Sequence, residues 1–321
     1  MLTSLAAAFG GIGVTYKLWG KLPLACNAFK KQIKISKDLG NDLMEAQTLY
    51  SLALVNVQLH LQINLHKLPE FFMGLPKAGL LDKNFGSFLS QQREFFRRSG
   101  LLRHVLILRE VFLSKERDKF GSRGTNILND KKLFTMLKSL DEGIALFTQI
   151  LEIAAHSEEI DSVNVVSREI RANSLIYIGV LLSLRDGSMY RGNQYFDQCR
   201  DLLYEINEKK DAIALQMERS MGSGDSNPAA KKLSNFIHKS EISLDLNKNI
   251  LLMLYGQWEI GKRNIELVLV EGGEAKYDAS STILYKSALA VCCVNTNDKK
   301  MAIATYEACM QRCEIERRGG E

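Results

Sequence analysis

The stretch DKKLFTMLKSLDEGIALFTQILEIAAHS, residues 130–157, decides the fold class of this 321-residue chain. Large apolar residues recur in it at alternating spacings of four and three, which places them in one stripe along a helix. A stripe sustained over this many turns is typical of a helix in a multi-helix bundle. Asp130 precedes the stripe and is the expected N-cap. The stripe consists of Leu133, Leu137, Leu140, Ile144, Phe147 and Leu151.

A second stripe of the same kind lies upstream, between residues 39 and 61. Its apolar residues also recur at spacings of three and four, so they share one face of a long helix. Two helices that each carry one apolar face can bury both faces by contacting each other, and we predict that these stripes form the core. The second stripe consists of Leu39, Leu43, Ala46, Tyr50, Ala53, Val57 and Leu61.

The rest of the sequence also predicts an all-α fold, since it contains only four prolines. Residues 64–87 are rich in proline and glycine and predict a broken connection, and residues 114–130 predict a polar loop. The segment IELVLVEGG, residues 265–273, fits either a strand or a buried helix end. No repeat recurs at a fixed period, which does not favour a solenoid. Further helices are expected at 88–98, 101–113, 161–184, 188–221, 229–257, 280–294 and 299–317.

The domain organisation is predicted from one linker. A chain of this length forms one large or two ordinary domains. The segment GSGDSNP, residues 222–228, has the small and polar composition of a linker. We therefore predict a helical bundle over residues 1–222 and a C-terminal helical extension over residues 229–321.

The motif content indicates a protein without catalytic activity. No phosphate-binding loop, dinucleotide fingerprint, H-E-x-x-H or G-x-S-x-G motif occurs. The five histidines are not spaced as zinc ligands. We expect no enzyme, no cofactor and no metal. The sequence pI of about 8.7 is below that of a dedicated nucleic-acid binder, and we expect no nucleic-acid partner.

The six cysteines indicate the compartment. They cluster unevenly near the C-terminus and form no regular disulfide pattern, so we expect reduced thiols and a cytoplasmic protein. A metal site across Cys292, Cys293, Cys309 and Cys313 is the alternative, but an adjacent Cys-Cys pair is awkward for zinc. Burial as small apolar side chains is the favoured interpretation.

The N-terminal stretch LTSLAAAFGGIGVTYKLW, residues 2–19, has no charge before Lys17. A secretory signal would place its basic residues before the apolar run, and here they follow it. Residues 2–16 would span about 22 Å as a helix, which is short of the roughly 30 Å hydrocarbon core. A membrane anchor and a mitochondrial presequence stay open, but a helix that contacts the rest of the bundle is favoured.

A set of lysines follows this apolar run. No acidic residue occurs before Asp38, so the first 37 residues carry only positive side chains. Such a set can contact anionic lipid at about 1 kcal/mol per lysine. The set consists of Lys17, Lys21, Lys30, Lys31, Lys34 and Lys37.

The order of these features resembles the HeLo domain of fungal heterokaryon-incompatibility and prion-inhibition proteins. The resemblance covers residues 2–155. It rests first on the apolar N-terminal helix and on a following helix that contains cysteine and phenylalanine. A G-x-D turn then opens a long helix, and a lysine-rich start precedes an F-x-x-L-x-x-L pattern. The matching residues are Cys26, Phe29, Gly40, Asp42, Gln47, Lys131, Lys132, Phe134, Leu137, Leu140 and Asp141.

The resemblance implies a function at membranes. HeLo domains are all-α, are related to the executioner bundles of necroptosis, and act in regulated cell death. The implied mechanism is exposure and insertion of the N-terminal helix, with recruitment of a cytoplasmic protein to anionic lipid. A homo-oligomer and an activating protein partner are possible under this mechanism. The expected inserting residues are Leu2, Leu5, Phe9, Ile12, Val14 and Trp19, and the expected lipid contacts are the six lysines.

A non-enzymatic helical interaction or scaffold protein is the alternative. Residues 2–19 would then anchor it to a membrane or contact a partner. Such a protein should bind a partner without making liposomes leak.

Overall fold

The fold of the described residues is all-α, as the sequence predicts. The computed structural model describes residues 2–61, 130–160, 165–186, 189–221, 227–254, 257–276 and 279–319. These residues form eleven helices and no strand. The helices are α1 (Leu2–Leu18), α2 (Leu22–Asp38), α3 (Asp42–Leu61), α4 (Asp130–Ile160), α5 (Val165–Asp186), α6 (Tyr190–Glu208), α7 (Lys210–Met221), α8 (Asn227–Leu254), α9 (Trp258–Lys276), α10 (Ala279–Asn295) and α11 (Lys299–Gly319).

The structure decides two of the local predictions and leaves others outside its range. The segment 265–273 lies within α9 and is helical, so its strand alternative is wrong. The single helix expected over 188–221 is two helices, α6 and α7, which meet at Lys209. The helices expected at 88–98 and 101–113, with the irregular segments around them, lie outside the described residues.

The chain divides into two compact units. The first comprises Met1–Leu65 and Ile107–Leu244, and the second comprises His66–Leu106 and Asp245–Glu321. The division therefore falls within α8 and not at residues 222–228. Residues 222–226 lie outside the described residues, so the linker stays a prediction.

Helices of the first unit contact one another in chain order. Each of α1 to α5 contacts the next helix along the chain among α2 to α6, and α3 also contacts α5. A helix within this series has a neighbour on two sides. The described neighbour of α1 is α2.

The core of the first unit lies where α3, α4 and α5 meet. The ring of Phe147 on α4 is 6.0 Å from that of Tyr50 on α3 and 5.6 Å from that of Tyr177 on α5. A methyl group added at Gly143 of α4 would lie 3.2 Å from atoms of both Val57 and Leu181. The predicted contact between the two helices that carry these stripes is confirmed.

The buried face of α4 differs in register from the predicted stripe. Leu140 and Phe147 are buried as expected, but Ile144 and Leu151 are only half-buried. The physical reason is that α4 contacts both α3 and α5, so its buried face is turned toward the groove between them. The buried positions are Leu140, Gly143, Phe147, Ile150, Ala154 and Ser157. The side chain of Leu133 lies outside the described residues.

In the second unit, α10 contacts both α9 and α11. Ala290 and Tyr306 form a buried cluster with Val294 at its edge. The Lys262 ammonium of α9 lies 2.9 Å from the carboxylate of Asp298, which precedes α11. Asp298 also accepts a hydrogen bond from the Met301 amide at 3.2 Å and so caps α11.

Candidate interaction surface

The contact between α1 and α2 is made by small residues of α1. Ala6 and Gly13 are buried, and a methyl group added at Gly13 would lie 2.5 Å from Cε1 of Phe29. One added at Gly10 would lie 2.8 Å from the side-chain amide of Gln32. At Gly13 a side chain would overlap the Phe29 ring, whereas at Gly10 the flexible Gln32 side chain could move aside. Gly11 faces open space.

The turn between α1 and α2 fixes the hairpin. Gly20 has a φ of 71°, a left-handed conformation that glycine adopts without strain. The Gly20 amide donates to the Lys17 carbonyl at 3.0 Å, and the Lys21 amide donates to the Tyr16 carbonyl at 2.9 Å. This pair of bonds is a Schellman motif, which satisfies carbonyls at the helix end. Pro23 lies in the first turn of α2, where a missing amide has no cost.

The larger apolar side chains of α1 lie on its surface. The expected contact of this helix with the rest of the bundle is made by its small residues, and most of the expected inserting residues are exposed. Phe9 alone among the expected inserting residues is half-buried. The reason is that α2 covers one side of α1, and the small residues of α1 occupy that side. The exposed residues are Leu2, Leu5, Ile12, Val14, Leu18 and Trp19.

Two of the six lysines lie over aromatic rings of this N-terminal segment. The Lys31 ammonium is 5.3 Å from the ring centre of Phe9, and the Lys21 ammonium is 5.4 Å from that of Trp19. Both distances suit cation–π attraction. Lys21 and Lys31 therefore place positive charge at the edges of the apolar surface.

The other four lysines are placed less uniformly. Lys30 and Lys34 are exposed. Lys37 is exposed as well, but its ammonium lies 3.5 Å from the Glu45 carboxylate, so a lipid phosphate would compete with this ion pair. Lys17 is half-buried, and burial lowers the pKa of its ammonium. The six lysines do not form one equivalent set.

A second hairpin repeats the α1–α2 contact. A methyl group added at Gly179 of α5 would lie 2.5 Å from Cε1 of Phe196 on α6, which is the relation of Gly13 to Phe29. One added at Gly192 of α6 would lie 2.5 Å from the Gly179 carbonyl oxygen. Gly192 stands four residues before Phe196, as the buried Ala25 stands four residues before Phe29. Both hairpins therefore have a small residue on each helix and an aromatic ring that closes the contact.

The α10–α11 hairpin has the same arrangement. Ala290 contacts Tyr306, and the fully buried Ala302 precedes Tyr306 by four residues. Asn297, with a φ of 62°, takes the place of Gly20 in the turn. Its amide donates to the Val294 carbonyl at 3.3 Å, and the Asp298 amide donates to the Cys293 carbonyl at 2.8 Å. This is again the Schellman pair of bonds.

Sequence reasoning missed this repeated unit because its copies are unevenly spaced along the chain. The signal that could have found it is local: the tripeptide Ile-Gly-Val occurs at 12–14 and again at 178–180. In each copy an aromatic residue follows the small residue of the first helix by 16 or 17 positions. A search for a repeat of fixed length does not detect copies that are unevenly spaced.

The cysteines with described side chains are Cys26, Cys199, Cys292, Cys293 and Cys309, and all five are free and buried. This confirms the expected burial. Burial raises the pKa of the Cys199 and Cys292 thiols to about 12, so they behave as small apolar side chains. Within the described ranges, no group of three or more histidine, cysteine or acidic side chains is placed to hold a metal ion.

None of the helices that the structure describes is long and apolar enough to cross a membrane. Comparison of the chain with protein-family models and with curated protein sequences finds no match. The resemblance to HeLo domains stays a prediction.

Proposed function

We propose that this chain is a non-enzymatic interaction scaffold built from helical hairpins of the tetratricopeptide type. The observation that supports this is the shared arrangement of small and aromatic residues in α1–α2, α5–α6 and α10–α11. The tetratricopeptide pattern includes Gly-x₂-Tyr in the first helix and Ala-x₃-Phe in the second. Gly13 with Tyr16 and Ala25 with Phe29 match both parts.

Hairpins of this kind suit a binding role. Each hairpin buries its apolar face against a neighbour, and stacked hairpins present extended surfaces to other proteins. In the first unit the contacts follow the order of the chain, as such stacking requires.

The test is the composition of the native complex. The full chain is purified from its own cells at moderate salt, and its mass is measured by native mass spectrometry. We expect a complex heavier than the 36.1 kDa chain that contains a second polypeptide in fixed proportion. A chain that is recovered alone, or only with further copies of itself, would contradict the scaffold function.

Membrane association through α1 is the second candidate, and it is the function that the HeLo resemblance implies. The observation in its favour is the exposure of Leu5, Ile12, Val14, Leu18 and Trp19 beside a lysine-bearing helix. A short apolar helix that is exposed can enter a lipid surface, and the lysines can contact anionic headgroups.

Vesicle leakage tests this second candidate. Ile12→Asp should abolish leakage, because an aspartate at mid-bilayer costs about 2.5–3.5 kcal/mol, and deletion of residues 2–19 should do the same. Exchange of Lys30, Lys31 and Lys34 for glutamine should weaken binding to anionic vesicles and leave neutral ones little changed. Folding of each variant is checked by circular dichroism. Equal leakage by the intact and the truncated chain would exclude the mechanism.

A further inference from the structure

The exposed side of α1 has a covered counterpart elsewhere in the same molecule. Gly13 of α1 and Gly179 of α5 each face a phenylalanine ring of the next helix. Aligning the two glycines places α1 and α5 in one register. Ala6 then matches Ala172, and both are fully buried. The two helices therefore use the same side to contact α2 and α6.

Outside this contact, the two helices carry identical residues with different exposure. Ile12, Val14 and Leu18 of α1 match Ile178, Val180 and Leu184 of α5. The three side chains of α1 are 44%, 48% and 80% exposed, and those of α5 are 0%, 0% and 3% exposed. We call the residues Leu5, Ile12, Val14, Leu18 and Trp19 the outer face of α1.

The difference follows from the neighbours of the two helices. α5 lies between α4 and α6, and α4 contacts it through Gly143, which faces Leu181, and through Phe147, which meets Tyr177. Among the described helices, α2 makes the extensive contact with α1. The outer face of α1 has the apolar composition of a face that contacts another helix.

The helix that covers α5 is α4, and its acidic residues form ion pairs with α5. The apolar stripe of α4 is flanked by carboxylates that pair with α5: Asp141 lies 2.8 Å from Arg185, and Glu158 lies 2.9 Å from Arg171. An amphipathic helix with acidic flanks therefore lies over Tyr177 and Leu181, which match Gly11 and Thr15 of α1. Its carboxylates pair with Arg171 and Arg185, which match Leu5 and Trp19. Around α1 the positive charge comes instead from Lys21 and Lys31.

The positive charge around α1 favours a partner that carries carboxylates. Lys21 and Lys31 border the outer face, and no acidic residue occurs in the first 37 positions. A second copy that docked through the same face would bring two such lysine sets together, which costs free energy. Carboxylates on the flanks of a docked helix would pair with these lysines.

We propose that the outer face of α1 binds an amphipathic helix of another polypeptide, one with an apolar stripe at heptad spacing and carboxylates on both flanks. This inference rests on the proposed scaffold function and names its binding surface. The bound helix would lie over Gly11 and Thr15, as α4 lies over Tyr177 and Leu181, with the exposed Ile12, Val14 and Leu18 beside it.

The test uses the full chain and two synthetic helical peptides with the same leucine stripe. One carries glutamate on its flanks and the other carries lysine. Binding is measured by the fluorescence anisotropy of the labelled peptide. The variant Val14→Gln/Leu18→Gln is compared with Leu267→Gln/Val270→Gln on α9, whose side chains are 47% and 79% exposed and so match the 48% and 80% of the first pair.

We expect the glutamate peptide to bind the intact chain at least tenfold more tightly than the lysine peptide. The α1 pair should weaken this binding by about tenfold, or ~1.4 kcal/mol, and the α9 pair should change it less than twofold. Absence of binding, equal binding of the two peptides, or equal effects of the two variants would overturn the proposal.

Two further measurements separate other occupants. If the α1 variant loses flotation with phosphatidylserine vesicles and binds the peptide normally, the face binds lipid and the proposal is wrong. If the intact chain is a dimer by light scattering and the α1 variant is a monomer, the occupant is a second copy, which also overturns it. A native complex that survives the α1 substitutions would refute this docking site while leaving the scaffold function in place.

Discussion

At the scale of the residue, glycine decides how closely two helices approach. Gly13 and Gly179 lie against phenylalanine rings, so a side chain there has no room. Gly11, two residues from Gly13 in the same helix, has nothing within 4 Å of where its methyl group would be. The two positions lie in the same helix and have opposite surroundings.

The exchange of each glycine for alanine should therefore have opposite effects. Gly11→Ala should stabilise the protein by up to about 1 kcal/mol, because alanine favours a helix interior. Gly13→Ala should be less stable than Gly11→Ala by about 1–3 kcal/mol, because its methyl group overlaps Phe29. Urea unfolding monitored by circular dichroism measures both. Equal midpoints would show that the α1–α2 contact is looser than described.

A buried tyrosine makes stability depend on alkaline pH. Burial raises the pKa of Tyr177 from its ordinary 10.0 to about 12. The folded protein keeps this proton where the unfolded chain has lost it, so the stabilisation is complete below pH 10 and is lost as the pH rises through 12. Tyr177→Phe should flatten the fall in unfolding free energy between pH 10 and 12. Equal slopes in the wild-type and variant proteins would contradict the assignment.

At the scale of the element, α4 shows that a helix with two neighbours buries a face that differs from the face of its largest residues. Ile150 is buried, and the adjacent Leu151 is half-buried. A search for apolar periodicity gives weight to leucine and none to glycine. Gly143 is nevertheless buried, because it lets α3 and α5 approach α4.

Alanine substitutions in α4 test this register. Leu140→Ala and Ile150→Ala should each cost about 2–5 kcal/mol of unfolding free energy, as expected for fully buried side chains. Leu151→Ala should cost less than half as much. Chemical denaturation of the three variants checks the order, and a larger loss for Leu151→Ala than for Ile150→Ala would restore the register predicted from the sequence.

The helices could be predicted from the sequence, because periodicity and prolines are local signals. The predicted bounds of α3, α4, α10 and α11 lie within three residues of the observed ones. The exposure of α1 could not be predicted, because an apolar helix has the same sequence whether or not a neighbour covers it. Ile12 and Ile178 illustrate this, since each is followed by Gly-Val and only Ile178 is buried.

At the scale of the whole molecule, α8 belongs to both compact units. Its residues up to Leu244 belong to the first unit, and those from Asp245 belong to the second. Leu233, Phe236 and Ile237 are buried in its first half. A cut before α8 therefore does not separate the chain at the boundary between the units.

Limited proteolysis should cut first within residues 222–228, as their composition predicts. The two fragments should then elute together in gel filtration, because the C-terminal fragment carries the part of α8 that belongs to the first unit. Addition of urea should separate them. Separate elution in native buffer, or a preferred cut deep within residues 229–321, would contradict the division of the chain described here.

Because α2 covers one side of α1, the backbone hydrogen bonds of α1 should open more readily than those of a helix covered on both sides. Amide protons exchange with solvent through local unfolding, and a helix held on one side opens at a lower free energy than one held on both. The amides of α1 should therefore exchange deuterium much faster than those of α5, although the two helices share Ile-Gly-Val. A helix docked on α1 would slow that exchange toward the rate of α5, so hydrogen exchange would report occupancy without any label.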